Sequence, residues 1–290
     1  MQRRVRVQIE EAAPPGAWAI LPRPIAFWGQ RFTGFAAAGV AEIREIGATN
    51  AGQRAYLLRP AGGAGAPLAI EYGFDMPANG AATLAPAEPW IWALPESRHV
   101  IADAGLRAQA ADCTAGAADG PAKLRAIIAE AARLFAYDHP EARFTDGHAA
   151  VPALCGTTRG SCVDINTFVL AAALSQGIEG QYFAGYWFGP GRSTTPDMHC
   201  WLGFRAAGGA DSPPEFWDVA HHLKWGVPAL GPGLNPAGGR RVALSCGRGL
   251  AFDTPLGRAE ISHFSEPLWV LPGGTLRTAP VRISLEEEHA

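Results

Sequence analysis

Three residues in this 290-residue chain have the types and settings that nucleophilic catalysis needs. Cys162 opens the apolar run in RGSCVDINTFVLAAALSQG, His199 lies in MHCWLGF, and Asp218 lies in FWDVAHH. With Ser161 as a helix cap, Cys162 is the first helical residue. Unsatisfied backbone N–H groups and the positive end of the helix dipole then surround its sulfur and favour the thiolate, the nucleophilic form. The same N–H groups can donate to a developing oxyanion. Taken alone, a cysteine there also reads as a small buried hydrophobe. On a strand over 198–204, His199 and Trp201 share one face, while Met198, Cys200, Leu202 and Phe204 share the other, the core face. A neighbouring antiparallel strand carrying Asp218 between Trp217 and Val219 would set a carboxylate beside that imidazole. Together they make the Cys-His-Asp form of nucleophilic catalysis: a thiol, a base, and an acid that fixes the base's tautomer. Asp197 is a weaker alternative acid and reads better as a loop cap.

The elements that must hold these residues follow from pattern. Ser161 and Asp164 form a capping-box-like Ser-x-x-Asp. Ile165, Phe168, Val169 and Ala172 make one helix face, and Leu170, Ala171, Ala173 and Leu174 fill most of the rest. This predicts a helix buried nearly all round, ended by Gly177. QYFAGYWF, MHCWLGFR and EFWDVAHH predict three strands separated by loops, with His221 and His222 ending the third. Upstream, DGPAKLRAIIAEAARLFAYD predicts an amphipathic helix. Its apolar face is Leu124, Ile127, Ile128, Ala131, Leu134 and Phe135, and Pro121 sits at its first position. LPESRHVIADAGLRAQAADC predicts a turn and a short helix. Residues 1–93 are β-rich. Val5, Val7 and Ile9 alternate with Arg4, Arg6 and Gln8, and AYLLRPAGGAGAPLAIEYGFDM reads as strand, glycine-rich turn, strand, with NAGQR and PANGAA as further turns. Residues 94–290 then form the second region, closing in more extended structure.

Composition narrows the classes. A net charge of -3 and a pI near 6.2 exclude avid nucleic-acid binding by a basic patch. No apolar run reaches the roughly 18 residues needed to span a bilayer. The cluster Arg3, Arg4, Arg6 is not followed by the apolar segment of a signal peptide. Five cysteines, an odd number, argue against a disulfide framework. These features lead to the expectation of a soluble protein with reduced thiols in the cytoplasm. Cys162, His199, Cys200, His221 and His222 could ligate zinc in principle. There is no Cys-x-x-Cys or His-Glu-x-x-His, and the neighbours His199 and Cys200 point to opposite strand faces, so no metal and no cofactor is expected.

The order of these motifs resembles the transglutaminase-like superfamily. GSCVDINTFVLAAALSQGIEGQYFAGYWF, then HCW, then WDVAH, is similar to that family's Gly-x-Cys helix start, His-Ala-Trp strand and Trp/Asp strand. LPESRHVIADAGLRAQAADC and KLRAIIAEAARLFAYD resemble the helices before the cysteine in bacterial members, including the closing Tyr137. The likeness implies an α+β, papain-like fold: an antiparallel sheet packed on a central helix that begins at the catalytic cysteine, preceded by a β-rich N-terminal region. It implies Cys162 as nucleophile, His199 as general base and Asp218 as orienting acid. The substrate would be a peptide or small amide or acyl compound, and the reaction hydrolysis or acyl transfer through a thioester. Cys200 departs from the usual Ala. Animal members need calcium, but no Asp-rich calcium loop is present. Trp201, with Trp187, Trp217 and Trp225, can wall the cleft, and Arg159 can bind an acidic substrate group. Arg159-Gly160 is also similar to the Arg-Gly-Gly-x-Cys start of arylamine N-acetyltransferases. A non-catalytic binding or scaffold module that keeps only the fold is the reading from another class.

Overall fold

The structure, a computed structural model, describes residues 2–27, 29–62, 67–76, 89–196, 198–209, 212–228, 231–234 and 236–288. The expected turn PANGAA, the centre of the glycine-rich turn at 63–66, and Asp197 lie outside them. The chain runs β1 (Gln2–Ile9), β2 (Trp18–Pro22), β3 (Arg31–Ala38), β4 (Val40–Gly47), β5 (Arg54–Pro60) and β6 (Ala69–Asp75). Next come α1 (Ala104–Thr114), α2 (Gly120–Leu134), β7 (Phe135–Tyr137), β8 (Thr158–Gly160), α3 (Cys162–Ser175), β9 (Glu179–Phe188) and β10 (Thr194–Thr195). Then follow β11 (Met198–Arg205), β12 (Glu215–Trp217), α4 (Val219–Trp225), β13 (Arg240–Cys246), β14 (Leu250–Thr254), β15 (Gly257–Ile261), β16 (Leu268–Val270), β17 (Leu276–Thr278) and β18 (Val281–Glu288). The architecture is α+β, as expected. Contacts divide it into one unit of 1–93, 184–199 and 239–290, and another of 94–183 and 200–238.

Among the described residues the first unit has no α-helix and is built on β-sheets, with two short 3-10 turns. One five-stranded sheet has the order β10-β18-β1-β6-β3 and another has β17-β16-β2-β5-β4. In β1 the alternation behaves as expected: Val5, Val7 and Ile9 are buried, while Arg4 and Arg6 pair with Glu71 on the other face. The expected strand–turn–strand unit divides differently. β5 pairs with β2 and β4, and β6 pairs with β1 and β3, so the two strands enter different sheets. Period-two alternation explains why β2 and the centre of β5, Ala55–Leu58, are apolar and buried on both faces. Ala19, Leu21, Tyr56 and Leu58 join a core with Val5, Tyr72 and Phe74. Trp18, Ile20, Ala55 and Leu57 turn the other way onto Leu250, Phe252 and Phe264. A strand covered on both faces has no polar side to show.

Gly185 in β9 marks a close approach in this unit. A Cβ there would lie 1.9 Å from the Val242 carbonyl oxygen, a backbone atom that cannot swing aside. Gly185→Ala should lower stability by at least about 2 kcal/mol. A urea melt with an unchanged midpoint would refute this.

The second unit is built around α3. Its residues from Cys162 to Ala173 are all buried, and it packs against α1, α2 and α4. α2 buries Leu124, Ile127, Ile128, Ala131 and Leu134 on one face, as the periodicity predicts. Its cap is Asp119, whose carboxylate accepts from Ala122 N at 2.8 Å, so Pro121 occupies the second helical position and not the first. Phe135 leaves the helix, and β7 pairs parallel with β8, which delivers the chain to the start of α3. β11 pairs antiparallel with β12, Leu202 opposite Trp217.

FWDVAHH is not one strand. β12 ends at Trp217, and Val219–Trp225 is helix α4 with Asp218 as its N-cap. Asp218 Oδ1 accepts from His221 N at 3.0 Å, and Gly226, at φ +63°, ends the helix in the left-handed conformation. Capping chemistry at both ends outweighed the alternating pattern across a stretch short enough for either reading.

Candidate active site

Ser161 caps α3 as its residue type requires. Val163 N donates to Ser161 Oγ at 3.2 Å, and Ser161 N donates to Asp164 Oδ2 at 2.9 Å, which completes the capping box. Cys162 is therefore the first residue of the helix, and it is 4% exposed. The sulfur sits where the helix dipole favours negative charge.

One residue missed by pattern reading belongs to this helix start. Arg143, in the loop between β7 and β8, donates from Nη1 to Asp164 Oδ2 at 2.7 Å and to Ser161 Oγ. Burial works against the guanidinium's charge. Asp164 outweighs it, with smaller contributions from Tyr182 and Cys162, and holds the group above the ordinary arginine range. Nothing in ARFTDG signals this contact, because the partners are 18 and 21 residues away along the chain.

A second missed residue is Asn166. It lies one turn beyond Cys162, on the same side of the helix. Its Nδ2 donates to the Cys200 carbonyl at 3.0 Å and contacts Cys200 Sγ at 3.3 Å, all of it buried. This ties the α3 face that carries Cys162 to the residue next to His199 on β11. The expected departure at Cys200 thus contributes a backbone acceptor to the helix–strand joint.

His199 is on β11 and 4% exposed. The strand was expected to set Met198, Cys200, Leu202 and Phe204 on the core face and His199 and Trp201 on the other. In fact every residue from His199 to Phe204 is buried, so neither face is open. Trp201 accordingly lies in the core, fully buried, with its ring 6.4 Å from that of Phe183 in a stacked arrangement. Its predicted place on a substrate wall does not match this setting. Arg159 is on β8 with its side chain 76% exposed and its Nε 2.7 Å from Asp138, an exposed pair of small energetic weight.

Asp218 is brought in differently from the cross-strand expectation. With Leu202 opposite Trp217, continued pairing would set Ala220 opposite His199. The turn into α4 supplies the carboxylate instead. Asp218 is fully buried, and its Oδ2 lies 3.0 Å from His221 Nδ1. His221, expected at a strand end, thus takes a direct bond to the candidate acid. Ligand-type atoms of His199, Asp218 and His221 all lie within 4.8 Å of one another, a group that could hold a metal ion. An imidazole–carboxylate–imidazole set serves proton transfer as readily.

Residues 107–214 match the model of the transglutaminase-like superfamily. Over those residues the chain is similar to that superfamily. The match includes Cys162 and His199 and stops four residues before Asp218. No curated protein matches the chain. Among solved structures, a candidate cysteine protease from Cytophaga hutchinsonii aligns over 99% of this chain and 98% of its own, at 12% identity and a TM-score of 0.50. That likeness is one of fold. The periplasmic domain of TgpA from Pseudomonas aeruginosa, in an ethylmercury-bound and a second structure, aligns over 76% and 77% of this chain and 90% and 91% of its own. Identities there are 17% and 16%, and TM-scores 0.36 and 0.37.

One expectation falls with these findings. Both TgpA structures are of a periplasmic domain, and the cytoplasmic placement expected above does not stand. Its grounds were an odd cysteine count and the lack of a long apolar run, and neither of these specifies a compartment. None of the five cysteines forms a disulfide, and among the described residues no helix is long and apolar enough to cross a membrane.

Proposed function

We propose that the protein is a cysteine-dependent enzyme that cleaves or transfers acyl groups at amide bonds, with Cys162, His199 and Asp218 as its triad. The observation that carries this reading is the Asn166–Cys200 bond. It couples the capped helix start bearing the thiol to the strand position beside the imidazole. His199 takes the thiol proton, and Cys162 Sγ attacks the substrate carbonyl. Backbone N–H groups at the start of α3 hold the oxyanion. Protonated His199 then returns its proton to the leaving amine as the tetrahedral adduct collapses to a thioester. Water or a second amine, deprotonated by His199, resolves that thioester. Asp218 keeps the imidazole in the tautomer that accepts from sulfur. A peptide substrate with water as acceptor is supported by the Cytophaga hutchinsonii protein, a candidate protease of the same fold along its whole length.

The test is to trap the acyl-enzyme. Incubation with activated acyl esters and an acid quench should leave the acyl group on the peptide containing Cys162. Hydroxylamine should then release it as a hydroxamate. An adduct confined to exposed Cys155, or turnover of a peptide substrate with Cys162 unmodified, would overturn the proposal. Cys246 serves as an internal control, because burial pushes its thiol far above the ordinary range. It should stay unlabelled by iodoacetamide in the folded protein and react only after denaturation, and labelling of native protein would refute that.

A further inference from the structure

Asp164 sets the helix start a problem in electrostatics. Its side chain is 1% exposed, it lies two residues from Cys162, and its Oδ2 accepts from Ser161 N and Ser161 Oγ to hold the cap. A buried carboxylate in the same first turn as Cys162 opposes a second negative charge there. The same capping box that places Cys162 at the dipole's positive end would therefore suppress the thiolate.

Arg143 meets this carboxylate directly. Its Nη1 bonds both Asp164 Oδ2 and Ser161 Oγ, the two side chains that flank Cys162 in the cap. We infer that Arg143 is a positioning residue for the nucleophile: by neutralising the buried Asp164 carboxylate, it keeps Cys162 in the thiolate form. The inference rests on Cys162 being the nucleophile of the proposed reaction. Arg143 reaches in from a loop outside both the helix and the sheet. The titratable groups acting on Arg143 here are Asp164 and Cys162 on α3 and Tyr182 on β9; in the proposed mechanism His199 on β11, with Asp218 behind it, faces the thiol. Of these groups, Arg143 is the one that bears a positive charge at every pH between 5 and about 9.

The experiment measures iodoacetamide alkylation of Cys162 in the full chain from pH 5 to 9, read on its own peptide by mass spectrometry. Arg143→Met should move the midpoint of the pH–rate profile upward and slow labelling at pH 6 about tenfold. Asp164→Asn keeps the cap's acceptor and removes its charge, so it should move the midpoint downward. The double variant should return close to the parent, and Arg143→Lys should restore much of the parent profile. A purely structural role would slow all of these variants alike. A parent-like profile in Arg143→Met, or a double variant no better than Arg143→Met, overturns the inference. Where Arg143→Met gives no cooperative melt, Asp164→Asn decides: a downward shift supports the coupling and an unshifted profile overturns it. If Cys162 in the parent labels no faster than Cys155, the proposed nucleophile itself fails, and that result is distinct from failure of the Arg143 coupling.

Discussion

Cys162→Ala should reduce kcat by roughly 10³- to 10⁶-fold, the range seen when a nucleophile is removed from a triad. The loss follows from the mechanism, since without sulfur no thioester forms and water must attack the amide unaided. The fold should survive. Cys162 is almost fully buried at the first turn of α3, and the cap is made by Ser161, Asp164 and Arg143 without the thiol. Loss of one buried sulfur costs about 1 kcal/mol. Circular dichroism should therefore show a native spectrum and a melt shifted by only a few degrees. Activity within tenfold of the parent on the same peptide substrate would end the proposal.

Asp218 should separate stability from catalysis. In Asp218→Ala, His221 N loses its cap acceptor and the buried His221 imidazole loses its partner at 3.0 Å. A lost cap costs about 1 kcal/mol and breaking a buried pair costs more, so a total near 3 kcal/mol is expected. Asp218→Asn keeps an oxygen for His221 N, so its melting midpoint should stay much closer to the parent. It cannot stabilise a charged imidazole or hold the accepting tautomer, so activity should fall by roughly 10²- to 10⁴-fold. Urea melts and initial rates on the two variants read both quantities. Parent-like activity in Asp218→Asn would remove Asp218 from the triad. Equal destabilisation by both variants would refute the capping account of α4.

His221 shows why only part of the site was readable in advance. The spacing from Asp218 to His221 suits a helix cap as well as a strand, and seven residues are too few for periodicity to choose. Trp201 shows a second limit. The strand pattern set it on the same face as His199, where it could wall a cleft, but alternation reports two faces and not whether both are covered. Arg143 left no trace, since a loop arginine looks the same whether it meets water or a carboxylate 21 residues on.

The sequence by itself determined the local features. These are the capped start of α3 with Cys162 at its first turn, the all-round burial of that helix, the apolar face of α2, and the alternation in β1. Each depends on neighbours within a turn or a pleat, where residue type acts directly on the backbone. Tertiary structure alone decided that β5 and β6 enter different sheets, that Arg143 closes the cap of α3, and that Asn166 binds the chain beside His199. Such contacts join residues far apart in the chain, and their energy comes from burying complementary polar groups together, which no repeating local pattern records.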